Sequence, residues 1–135
     1  GAVAIEAISR GALSTTLVES NRSVIAALER NAALLPRGSY RLLALPAERA
    51  LAELARQAAR FDLVFADPPY SWVPDAGFLA ACSLLLRSGG VLTIEHSARS
   101  ALPASAGDLV RTDSRRYGES ALAFYGKTGF CRLAR

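Results

Sequence analysis

The residues best able to do chemistry in this chain are Asp67-Pro68-Pro69-Tyr70. Two consecutive prolines cannot donate ladder hydrogen bonds and fix φ twice, so they stop a strand and stiffen the loop after it. The loop offers a carboxylate acceptor, backbone carbonyls with no competing proline N–H, and an aromatic face. That trio suits a planar substrate bearing an amino group. Carboxylate and carbonyl accept the amino hydrogens while Tyr70 stacks on the ring, a contact worth about 1–3 kcal/mol for a nucleobase. The plain alternative is an ordinary Pro-Pro turn with a capping Asp. The apolar run Leu63-Val64-Phe65-Ala66 before it favours the functional reading. A strand ending there puts the loop at the carboxyl edge of a sheet, where open α/β sheets bind ligands.

Alternating elements must position such a loop. Residues 2–9 read as a mostly buried helix stopping at Gly11, and residues 14–19, rich in β-branched side chains, as a strand. Val24, Ile25, Leu28, Ala32 and Leu35 fall on one helical face, closed by Pro36 and Gly38. Residues 40–45 read as a strand. Pro46 fits the first turn of a helix striped by Leu51, Leu54, Ala55 and Ala58. Phe61–Ala66 reads as a buried parallel strand. A helix follows with Phe78, Leu79, Cys82, Leu85 and Leu86 inward, then a turn at Arg87-Ser88-Gly89-Gly90 and a strand at Val91–Glu95, ending near His96. Two last strands, about 109–117 and 120–126, flank a hairpin turn at Gly118-Glu119. This order predicts an α/β fold, a mostly parallel sheet with a C-terminal antiparallel hairpin. The chain has no methionine and opens at Gly1 straight into a helical pattern. The expectation is one incomplete domain over residues 1–135, with the first, central strand of the sheet missing.

Composition sets the bounds. The chain has 135 residues, 51% of them apolar, with 16 basic and 12 acidic side chains and a net charge of +4. That is one domain with enough apolar material for a core, and it excludes a disordered tail. No apolar run reaches a membrane span and no leader precedes the first helix, so the expected setting is cytoplasmic, with no membrane partner. Cys82 and Cys131 form neither a disulfide framework nor a metal knuckle. With His96 the single histidine, no metal is expected. All the basic residues except Lys127 are arginines, which suit phosphates and base edges. Arg111, Arg115 and Arg116 with Tyr117 make a basic patch on the final hairpin. It would hold RNA phosphates or simply keep an edge hairpin solvated. Cys82 reads as core packing, and Trp72 as either a lip over a base or a cover on the core.

These residues carry a family resemblance. The chain resembles the S-adenosylmethionine-dependent amino-methyltransferases with a (D/N)PP(Y/F) motif, and more narrowly the RsmD family of bacterial 16S ribosomal RNA guanine-N2 methyltransferases. The matching segments are residues 1–12, Leu17-Val18-Glu19, Phe61–Tyr70, Gly89-Gly90-Val91 with Glu95-His96, and the two strands of the final hairpin. The resemblance implies a Rossmann-like class I methyltransferase fold, S-adenosyl-L-methionine as cofactor, and 16S ribosomal RNA or the small subunit as partner of a monomeric enzyme. It implies that Gly1 is the last glycine of the cofactor loop, with Ala2 opening the next helix. Glu19, followed by Ser20, corresponds to the acid that binds the ribose. Pro46 stands where the family often has an acidic or amide side chain against adenine, which leaves the Ala47 N–H for that contact. Asp67 with Pro68, Pro69 and Tyr70 becomes the catalytic loop, Asp67 also bordering the cofactor, and Arg115, Arg116 and Tyr117 an RNA-binding patch. Two other readings stand beside this one: a DNA adenine or cytosine amino-methyltransferase, and a non-catalytic RNA-binding fragment.

Overall fold

The computed structural model describes residues 2–128, which form parts of two compact units, Gly1–Glu53 and Leu54–Arg135. The first holds α1 (Ala2–Ser9), β1 (Thr15–Val18), α2 (Arg22–Ala32), β2 (Tyr40–Leu43) and most of α3 (Ala47–Arg56). β1 and β2 pair in parallel, from Thr15 beside Tyr40 to Val18 beside Leu43. Asn21 starts α2 by accepting the Ser23 and Val24 N–H groups on its side chain, the role its short polar group suits. The helix stops at Ala32, three residues before the expected Leu35. Leu35 precedes a proline and is pushed out of the helical region, and Gly38, at φ +80, turns the chain.

The expectation of a mostly buried α1 is corrected: none of its residues is buried, and Val3 is 50% exposed. Its apolar residues run all around the helix, whereas a helix packing on a two-stranded ribbon covers only one side.

The second unit holds the end of α3, β3 (Phe61–Ala66), α4 (Ala76–Leu85), β4 (Leu86–Ser97), β5 (Ser105–Ala106), β6 (Leu109–Tyr117) and β7 (Ser120–Lys127). The strands lie in the order β3-β4-β7-β6-β5. β3 and β4 are parallel and joined through α4, and the other pairs are antiparallel. Asp75 caps α4 by accepting the Phe78 N–H at 2.9 Å. Leu79, Cys82 and Leu85 of the helix are buried, as are Leu92, Ile94, Leu109 and Tyr125 of the sheet. Lys127, the single lysine, donates its ammonium to the Ser83 and Leu86 carbonyls at 2.7 and 2.8 Å. It thereby adds to the cap of α4, where the Ser83 carbonyl also accepts the Leu86 N–H.

Two expectations change here. β3 is paired in parallel, but it is not buried: Leu63 is 70% and Phe65 41% exposed. It is the outer strand of this sheet, and Leu63 and Phe65 alternate with Val64 and Ala66, which lie level with the buried Leu92 and Ile94. Residues 87–90 are not a separate turn but an excursion within β4. Phe61 lies beside Leu86 and Leu63 beside Val91. Gly89 takes φ +81, and a Cβ on Gly90 would stand 2.8 Å from the Arg87 carbonyl, so the excursion requires both glycines.

Candidate functional site

β3 delivers the Asp67-Pro68-Pro69-Tyr70 loop at its carboxyl end, as the sequence predicts. Asp67 is exposed, and among the described residues nothing engages its carboxylate. The Pro69 carbonyl accepts the Trp72 N–H at 2.9 Å, while the Pro68 carbonyl receives no backbone donor. A free carboxylate and a free carbonyl therefore stand one residue apart on a loop whose φ angles are fixed. Tyr70 is 48% exposed, and its hydroxyl hydrogen-bonds the Ser120 hydroxyl on the final hairpin. One end of the ring is thus held while part of its surface stays open. Sequence reasoning missed Ser120. The only available signal is its place directly after the Gly118-Glu119 turn, level with Ser97 on β4.

Trp72 packs edge-on against Phe78, with ring centroids 5.0 Å apart at 88°. It covers the first turn of α4 and stays 37% exposed. Cys82 is buried as expected, and burial pushes its thiol from 9.0 up to about 12.

In the other unit Glu19 follows β1, and its N–H extends the ladder to the Leu43 carbonyl at 3.1 Å. Its Oε2 accepts the Ser20 and Asn21 N–H groups at 2.9 and 3.0 Å. The carboxylate is fixed by its own backbone, and Oε1 is left to accept from elsewhere. Ala47 opens α3, with the Pro46 carbonyl accepting the Ala50 N–H at 3.0 Å. As a first-turn amide, the Ala47 N–H has no intrahelical acceptor. Ala2 begins α1 and is exposed, and Gly1 lies outside the described residues.

The final hairpin forms as predicted. Gly118 takes φ +64, as the first central position of a two-residue type II′ turn requires. The basic patch, however, is divided. Arg115 pairs with Asp113 at 3.1 Å and lies over the Phe124 ring at 5.7 Å. Its hydrogen bond holds the Asp113 carboxyl below the usual range, aided by the Ser114 N–H. Arg116 alternates to the opposite side, level with Ala121, and its Nε donates to the Gly118 carbonyl at 2.8 Å. Tyr117 ends β6 and is 58% exposed. Among the described residues no helix is long and apolar enough to cross a membrane.

Comparison with known proteins shows the family and the fold. Residues 1–126 match the family described as conserved hypothetical protein 95. A Bacillus subtilis protein named "Putative rRNA methyltransferase YlbH" is 31% identical over 132 residues, 96% of this chain and 72% of that protein. "Ribosomal RNA small subunit methyltransferase D" of Escherichia coli is 35% identical over 95 residues, 70% of this chain but 44% of that protein. A solved structure of a conserved hypothetical protein from Streptococcus pyogenes superposes with a TM-score of 0.82 at 32% identity, over 94% of this chain and 79% of that one. Another, described as "a putative methyltransferase complexed with SAH", shares the fold at 11% identity and a TM-score of 0.68, over 86% of this chain and 40% of that one.

Proposed function

The chain belongs to the family described as conserved hypothetical protein 95, the RsmD family, and from that premise we propose that it transfers a methyl group from S-adenosylmethionine to the exocyclic N2 amine of a guanine in 16S ribosomal RNA. The observation that carries this reading is the loop after β3. Asp67 and the Pro68 carbonyl are free to accept, and Tyr70 is tethered through its hydroxyl.

The residues present fit the cofactor. Glu19, with one carboxylate oxygen fixed by two backbone amides, is an acceptor for the ribose hydroxyls, and Ser20 flanks it. The unpaired Ala47 N–H suits a ring nitrogen of adenine. Ala2 would border the methionine end. Bound there, S-adenosylmethionine would supply an electrophilic methyl group.

The chain's own part is to prepare the nucleophile. The amine of guanine is weak because its lone pair is delocalised into the ring. Hydrogen bonds from its two N–H groups to Asp67 and the Pro68 carbonyl localise that pair on nitrogen. Tyr70 holds the base by stacking once it has left its helix. The rigid loop fixes the orientation of the base amine, and positioning of this kind supplies much of a barrier reduction. The proton is lost to solvent after transfer, so Asp67 acts as acceptor and orienter.

The test is to incubate the chain with radiolabelled S-adenosylmethionine and unmethylated 16S RNA or small subunits, then digest the RNA. Label recovered as N2-methylguanosine is the expected result. Label on adenine or cytosine of DNA would replace this reading with a DNA amino-methyltransferase. Binding of RNA with no transfer and no calorimetric signal for S-adenosylmethionine would leave a non-catalytic RNA-binding module.

A further inference from the structure

β6 carries a bulge that rearranges its arginines. Arg111 lies level with Tyr125 and Asp113 with Phe124, so Thr112 is an extra residue. In an unbroken strand Arg111 would share a face with Arg115. The extra residue flips the alternation, and Arg111 comes to share a face with Ser114 and Arg116 instead. All three line a cavity of about 350 Å³ with His96, Ser100 and Leu102 on its wall. No carboxylate lines this cavity, and neither Arg111 nor Arg116 belongs to an ion pair among the described residues.

Both guanidinium groups are held by the backbone. Arg111 donates to the Leu102 carbonyl at 3.1 Å and Arg116 to the Gly118 carbonyl at 2.8 Å. Arg111 also reaches the Tyr125 side chain, and each guanidinium keeps further N–H groups for a ligand. The wall also holds an unpartnered polar atom. His96 is 9% exposed, and its Nδ1 donates to the Ser97 carbonyl at 2.8 Å. Its Nε2 is buried and finds no partner among the described residues. Two oriented cations and a hydroxyl in an acid-free cavity ask for an anion with several acceptor oxygens, and Nε2, an acceptor while Nδ1 holds the proton, suits a hydroxyl beside that anion.

The place of the cavity says which anion. His96 lies level with Ala121, and the next pair along the ladder is Ser97 with Ser120. Ser120 is the residue that holds the Tyr70 hydroxyl. The cavity therefore lies at the same end of the ladder as the anchor of the base-stacking ring but on the opposite face of the sheet, so an RNA strand that reaches both crosses the sheet's end. We propose that the cavity seats a backbone phosphate of the RNA strand that carries the target base, gripped by Arg111 and Arg116 with Ser114 beside them. The proposal rests on the methyltransferase reading above, which puts RNA at Tyr70.

The test uses the full chain, a fluorescein-labelled single-stranded RNA from 16S RNA, and the variants Arg111→Gln, Arg116→Gln and, as a control, Arg87→Gln. Arg87 pairs with Asp62 at 2.9 Å, beside the amino-terminal end of β3. Arg111→Gln and Arg116→Gln should each weaken RNA binding several-fold and lower the salt slope by about 0.7. Arg87→Gln should leave both unchanged, and calorimetric titration with S-adenosylmethionine should be the same for all four proteins. Circular dichroism of Arg111→Gln checks the fold, and Arg116→Gln carries the test if that variant unfolds. Equal RNA affinity and salt slope in wild type and Arg116→Gln would overturn the phosphate seat while leaving methyl transfer untouched. Failure of the methyltransferase reading shows elsewhere, as absent label transfer by the wild type.

Discussion

In the proposed reaction Asp67 orients the amine of the base and Tyr70 holds its ring, and their variants should separate accordingly. Asp67→Ala should lower turnover by about 10²-fold and leave S-adenosylmethionine affinity within a few-fold in calorimetry. Tyr70→Ala should chiefly raise KM for RNA. Tyr70→Phe keeps the stacking face but loses the bond to Ser120, so it should fall between Tyr70→Ala and wild type. Equal loss of cofactor binding in the Asp67 and Tyr70 variants would contradict these roles. Cys82 gives a second residue-scale prediction. Desolvation raises its thiol from 9.0 to about 12, so the folded state favours the neutral form. That contribution to stability is fully present below about pH 9 and is lost as pH rises toward 12. In a Cys131→Ser background, iodoacetamide should therefore modify Cys82 only slowly at pH 8.5, and quickly once the chain is unfolded in urea. Fast modification of the folded chain would contradict its burial.

The end of α3 shows an element settling for a second-best residue. The Ala58 N–H reaches the Ala55 carbonyl and the Ala59 N–H the Leu54 carbonyl, both at 3.0 Å. These two bonds define a Schellman motif, whose left-handed position glycine usually fills. Ala58 occupies it at φ +56. Relief of the Cβ clash there is worth about 1 kcal/mol, offset in part by the greater freedom of glycine in the unfolded chain. Ala58→Gly should raise stability by up to about 1 kcal/mol in urea unfolding, and a loss of stability would show that the strain is relieved elsewhere. β6 is the other informative element. One bulged residue decides which arginines share a face, and the strand thus carries an ion-paired Arg115 on one side and two cavity-lining arginines on the other.

Across the whole molecule the two units differ in how much they bury. In Gly1–Glu53 the buried apolar residues are Leu28, Ala32 and Ala50, around a two-stranded ribbon. In Leu54–Arg135 a five-stranded sheet and α4 bury Leu79, Cys82, Leu85, Leu92, Ile94 and Tyr125. Two strands alone are marginal in water, whereas a larger sheet covered by a helix is not. Hydrogen exchange should follow. Amides of residues 92–96 and 121–125 should exchange more slowly than those of 15–18 and 40–43 by at least about two orders of magnitude. Equal protection would mean that the first unit draws stability from more than its own ribbon.

Local rules made much of this protein legible from its sequence. The double proline fixed where β3 must end, the β-branched runs marked strands, and Gly118 marked the hairpin turn, because each acts through the backbone of its own neighbourhood. The motif and its flanking strand carried the family resemblance for the same reason: a stiff acceptor loop at a sheet edge is written in consecutive residues. What tertiary structure decided depends on partners far apart in the chain. Fifty residues separate Tyr70 from the Ser120 that tethers it, and no spacing rule joins them. No local rule places the Lys127 ammonium among the last carbonyls of α4, 41 and 44 residues before it. The exposure of α1 and β3 depends on what lies against them, which hydrophobicity cannot state. The basic hairpin read as one patch because composition counts arginines, while strand pairing, shifted by Thr112, sets the side of the sheet on which each one lies.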